Sequence, residues 1–75
     1  MTLDQLQVGS KGRIAGFSEL ETSFRRKLLA LGLIPGAQVE VLRVAPMGDP
    51  IQVKLRGSTV SLRRSEAKTS LVEAL

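Results

Sequence analysis

Groups able to do chemistry are few in this 75-residue chain. It holds neither cysteine nor histidine. Thiolate and imidazole metal sites are therefore excluded from it, as are the common nucleophile–histidine arrangements. Seven carboxylates remain: Asp4, Glu19, Glu21, Glu40, Asp49, Glu66 and Glu73. No two stand at a spacing that marks an acid/base pair, and no glycine loop has the phosphate-binding pattern. The sequence thus argues against an enzyme. Carboxylates, hydroxyls and carbonyls alone offer at most a hard, weak cation site, a loose one around Asp49 or Glu66. Neither a tightly held metal nor a cofactor is expected.

The basic residues are the second set with chemical potential. The formal charge is +4, and the cations gather as Arg25-Arg26-Lys27 and Arg63-Arg64. Such an excess suits an acidic partner, a nucleic acid or a membrane surface, and it also suits plain solubility. Single-strand binders stack bases on aromatic rings. Here Phe17 and Phe24 are the only aromatics, and Phe24 is expected in the core. The aromatic-lined groove that reads polyproline cannot be built either. A protein partner must be held by apolar residues that a helix end and a loop leave unburied, and Leu33, Ile34, Pro46 and Met47 are the candidates. Met47, beside a glycine in a loop, has the flexible apolar side chain that suits an adaptable contact.

These residues need a scaffold, and the stretch that organises it is Phe24 to Gly36, FRRKLLALGLIPG. Phe24, Leu28 and Leu31 fall on one helical face and Leu29 widens it. Gly32 predicts a left-handed C-terminal cap, Leu33 a return onto the last turn, and Pro35-Gly36 a turn. Before it, Leu3 and Leu6 suit a single helical turn capped by Thr2 or Asp4, and Val8-Gly9 opens a strand. Lys11 to Phe17 reads as a strand with Ile14 on its core face. Gly12 and Gly16 there mark a bend or a close backbone approach. Ser18 and Glu21 have capping-box spacing.

After the helix, Ala37 to Ala45 is rich in β-branched residues. Val39 and Val41 share one phase, Leu42 and Val44 the other, which predicts a bulge. Pro46 to Pro50 is a loop, and Ile51, Val53 and Leu55 begin a clean alternation. Gly57-Ser58 reads as a tight turn, with Thr59 to Arg64 following. Ser65 to Lys68 suits one helical turn with Ser65 as its cap, and Thr69 to Leu75 suits a closing strand. Short strands leave edges that a barrel removes. The expected fold is mainly β: a small, partly closed SH3-like barrel of five strands, with one helix inserted between strands one and two. One domain over residues 1–75 is expected. Met1 to Val8 lacks the basic start and apolar core of a signal peptide. No apolar run approaches the ~20 residues that span a bilayer. A soluble cytoplasmic protein is the resulting expectation.

In this order, LLALGLIPG, VEVLRVAPMGDPIQVKLRG and LRRSEA strongly resemble the FeoA family, small cytoplasmic proteins of bacterial ferrous iron uptake. The likeness runs from about Ile14 to Val72. The same barrel resembles the C-terminal domain of iron-dependent repressors, though no helix-turn-helix is present. The family matches fall on Leu31, Gly32, Pro35, Gly36, Arg43, Ala45, Pro46, Gly48, Asp49, Pro50, Arg63, Glu66 and Ala67. The resemblance implies an SH3-like barrel with a helical insertion that acts on FeoB, the membrane transporter with a cytoplasmic nucleotide-binding domain. Arg43 and Asp49, with Leu33, Ile34, Pro46 and Met47, form the expected partner-binding set, and an Arg43–Asp49 pair across the hairpin is expected to fix the loop. A basic nucleic-acid-binding barrel and a weak metal-sensing domain are the alternative readings.

Overall fold

The structure, a computed structural model, describes residues 1–18 and 22–75, and of residues 22–24 the backbone alone. The capping box expected at Ser18 and Glu21, and the side chain of Phe24, lie outside the described residues. Five strands follow in the expected order: β1 (Lys11–Phe17), β2 (Gln38–Val44), β3 (Ile51–Leu55), β4 (Ser58–Leu62) and β5 (Ser70–Ala74). Helix α1 (Thr22–Ala30) is inserted between β1 and β2, and a short α2 (Arg64–Lys68) links β4 to β5. The strands form one antiparallel sheet in the order β4-β3-β2-β1-β5. This is the SH3-like barrel, with β4 and β5 at its two borders.

A 3-10 turn, Leu3–Gln5, precedes β1 and lies against α2 and β5. Thr2 stands at its N-cap position: the Gln5 side chain accepts the Thr2 N–H at 2.8 Å, and the Thr2 hydroxyl donates to the Asp4 side chain instead of the backbone. Leu3 and Leu6 are buried as expected. Val8-Gly9 is a turn and not a strand opening, because Gly9 sits at φ +89° and its N–H donates to the Val41 carbonyl across the sheet.

The helix ends as its sequence dictates. The N–H of Leu33 donates to the Leu28 carbonyl at 3.1 Å and that of Gly32 to Leu29 at 3.0 Å, with Gly32 at φ +100°. This is a Schellman termination, in which a left-handed glycine lets two amides satisfy carbonyls of the last turn. The motif folds Leu33 back beside Leu28, and both are fully buried. Leu29 and Leu31 correct the sequence reading: each is 37% exposed. Leu29 lies about 100° round the helix from Leu28, and Leu31 lies past the helix end at Ala30; among the described side chains of α1 only Leu28 is fully buried.

Two irregularities shape the sheet. The β1–β5 register shifts between Ile14 and Gly16, and the β2–β3 register shifts between Val41 and Arg43. The second is the bulge expected from the change of phase, with Leu42 as the extra residue. At Gly12 the backbones of β1 and β5 come close: a Cβ there would lie 3.2 Å from the Glu73 carbonyl and 3.0 Å from Leu6 Cδ1. Hairpin β3–β4 turns on Arg56-Gly57, not Gly57-Ser58. Both residues are left-handed, at φ +52° and +81°, as a two-residue turn matching strand twist requires. Inward residues of the sheet, among them Ile14, Val39, Val41, Val53 and Leu62, complete the core around Leu28 and Leu33.

Candidate protein-docking site

The loop between β2 and β3 is fixed by its own backbone. Ala45 N–H donates to the Pro50 carbonyl at 3.1 Å and Gly48 N–H to the Ala45 carbonyl at 2.7 Å. Gly48 supplies the left-handed step at φ +83°, and the Asp49–Pro50 peptide is cis. Asp49 Oδ1 accepts the N–H of Arg64 at 3.1 Å. The expected Arg43–Asp49 pair is therefore replaced by a tertiary cap. Asp49 satisfies an orphan amide at the start of α2, fifteen residues on, where a helix leaves its first N–H groups free. Ser65 does not act as that cap. Arg63 occupies the N-cap position and its own N–H donates to Glu66 Oε1 at 2.7 Å.

The bulge at Leu42 decides what the hairpin presents. With Val39 and Val41 inward, unbroken alternation would turn Arg43 inward too. The extra residue reverses the phase, so Arg43 stands opposite Gln52 and Val44 opposite Ile51. Arg43 is exposed, and no carboxylate among the described residues pairs with it. It borders a groove of about 390 Å³ whose other walls are Val44, Ala45, Pro46, Pro50 and Gln52. Pro46 is exposed, and Met47 beside it is 88% exposed, the most exposed large apolar side chain among the described residues.

The expected partner-binding residues thus separate into two groups. Arg43, Pro46, Met47 and Asp49 gather at the hairpin end. Leu33 and Ile34 do not join them: Leu33 has no exposed surface and Ile34 is half-buried against the core. The Schellman turn that the sequence signalled is also what removes Leu33 from the surface.

One ion pair was not legible in the sequence. Glu66 is 3% exposed, and its Oε2 lies 2.8 Å from Lys27 Nζ, joining α2 to α1. Burial pushes the Glu66 carboxyl up. The Lys27 ammonium and the Arg63 N–H, with the Arg63 charge, outweigh that and hold it below its ordinary value. The Glu66 carbonyl accepts the hydroxyls of Thr69 at 2.8 Å and Ser70 at 3.1 Å, securing the step into β5. Glu66 is thereby a structural tie, and its burial against Lys27 takes it out of any loose surface cation site. Among the described residues, no three His, Cys, Asp or Glu side chains cluster as metal ligands. Lys27 reaches this pair from the solvated basic triplet, its own side chain still 58% exposed, and Arg25 and Arg26 are exposed beside it. A surface depression of about 570 Å³ between the N-terminal turn and the end of β5 has Lys11 as its only charged side chain.

Comparison with known proteins places this geometry. A family model described as the FeoA domain matches residues 1–74. The chain is 32% identical over its full length to the Fe(2+) transport protein A/Fe(2+) transporter FeoB fusion protein of Porphyromonas gingivalis. It spans only 9% of the length of that curated relative. A FeoA-like protein of Clostridium acetobutylicum is 41% identical, with a TM-score of 0.91 over all of this chain and 86% of that one. FeoA of Stenotrophomonas maltophilia, solved with zinc and described as a prokaryotic SH3 domain protein, is 29% identical, with a TM-score of 0.84 over 97% of this chain and 89% of that one. A manganese-dependent transcriptional repressor shares the fold alone, at 24% identity and a TM-score of 0.92 over all of this chain and 36% of the repressor. No described helix is long and apolar enough to cross a membrane.

Proposed function

This chain belongs to the FeoA family, whose association with ferrous iron transport is written into its fused relative, and from that premise we propose that it is a non-enzymatic accessory protein that regulates such transport by docking on a FeoB-like transporter. In this reading it works in the cytoplasm as one domain and engages the transporter's cytoplasmic, GTPase-containing part. The observation that carries the docking is the hairpin loop, a rigid turn that holds Met47 almost wholly in solvent. A loop whose backbone is already fixed loses little main-chain freedom on binding, which is how a small contact gains affinity. The fused relative supports the choice of partner, because a single chain there joins transport protein A to FeoB.

Isothermal calorimetry with the cytoplasmic domain of a FeoB-like transporter from the same organism tests this reading. Wild type and Met47→Asp are titrated in the guanosine-diphosphate and triphosphate-analogue states. Wild type binds, and Met47→Asp binds at least ten-fold more weakly. Equal binding by both removes the hairpin loop as the contact. No binding in any nucleotide state removes docking on that domain.

A further inference from the structure

We propose that the groove at the β2–β3 hairpin end takes an acidic segment of the docking partner, with one apolar side chain seated in the groove and a neighbouring carboxylate on Arg43; this rests on the docking reading above. The groove is built for both halves of such a segment. Val44, Ala45, Pro46 and Pro50 make an apolar trough, and Met47 extends it along the rim with a side chain that adapts to its contact. Arg43 closes one side, and it faces outward only because the bulge at Leu42 reverses the phase of β2.

The charge around the trough has one sign to spare. Arg64 approaches the loop, its Nη1 lying 3.4 Å from where a Cβ on Gly48 would stand. Asp49, the acid of the loop, already accepts the Arg64 N–H. Arg43 and Arg64 therefore outnumber Asp49, the one acid in the loop sequence, while Glu66 is buried and tied to Lys27. A guanidinium at the edge of an apolar trough binds a carboxylate with two parallel hydrogen bonds, which fixes the direction of the bound segment. A second copy of this chain is disfavoured as occupant, because each copy carries +4 and would bring guanidinium to guanidinium. A nucleic acid is disfavoured because the groove offers no aromatic ring for a base.

The test titrates the unlabelled cytoplasmic domain of the transporter into this protein labelled with nitrogen-15. Wild type, Arg43→Glu and Lys54→Glu are compared at 50 and 500 mM NaCl. Lys54 is exposed on the same hairpin and does not line the groove, so its variant carries the same charge change elsewhere. The expected shifts concentrate in the amides of residues 43–52. Affinity falls at least ten-fold in Arg43→Glu, less than two-fold in Lys54→Glu, and several-fold for wild type at high salt. Binding whose shifts lie elsewhere, or that both variants weaken equally, overturns the groove assignment and leaves docking intact. Absence of binding overturns both. Shifts in residues 43–52 that grow with this protein's own concentration, before any partner is added, assign the groove to a second copy and overturn the proposal.

Discussion

At the scale of single residues, Glu66 shows how burial and pairing trade off. Its carboxylate has lost most of its water, and the Lys27 ammonium, the Arg63 amide and the Arg63 charge keep it charged. Because its native pKa is depressed, its charge stabilises the fold above its ordinary value of 4.5, and that contribution disappears as pH falls through the lower native value. Urea melts from pH 7 to pH 3 check this. Wild type exceeds Glu66→Gln by a constant margin at neutral pH, and the margin closes below about pH 4.5. Glu66→Ala also leaves the Arg63 N–H without its partner, at a cost of about 1–3 kcal/mol. Arg56 is a different case, a residue with a Cβ held at φ +52° where glycine or asparagine fits better. Arg56→Asn should therefore stabilise by about 0.5–1 kcal/mol, read as a rise of a few degrees in thermal midpoint.

At the scale of elements, glycines separate two kinds of strand irregularity. Gly12 lies under Leu6 and against the β5 backbone, whereas a Cβ on Gly16 would meet nothing within 4 Å. Gly12→Ala is expected to destabilise by about 1–3 kcal/mol and Gly16→Ala to be neutral or slightly stabilising, measured by chemical denaturation. Gly32→Ala strains the helix termination by about 1–2 kcal/mol and sets a Cβ 3.0 Å from Leu55 Cδ2. Much at this scale was legible in the sequence. The phase change from Val41 to Leu42 announced the bulge, Gly32 announced the helix end, and Ile51-Val53-Leu55 announced β3, since each is a local signal. What escaped was non-local. Nothing near Arg64 in sequence names Asp49 as its cap, and Lys27 and Glu66 stand on separate helices. Arg56 gives no turn signal of its own. The expected site residues part company for the same reason. Exposure of a loop methionine follows from local turn chemistry, but the fate of Leu33 depends on how the helix end meets the sheet.

At the scale of the whole molecule, the candidate docking end and the core draw on different residues. The core consists of inward strand residues with Leu28 and Leu33, while the candidate docking end consists of Arg43, Pro46 and Met47, which the core does not use. Met47→Asp should leave the urea midpoint unchanged within about 0.5 kcal/mol while weakening attachment to the transporter domain. A matching loss of stability would show that Met47 packs within the fold.

Asp49 grips the start of the five-residue helix α2, and Glu66, within that helix, grips α1. A single turn of chain thus serves as a keystone between the hairpin tip and the inserted helix. Fraying of that turn breaks both ties in one event, so hydrogen–deuterium exchange at amides 64–68 and at the end of α1 should report a shared opening, while the loop amides of Ala45 and Gly48 keep their own protection.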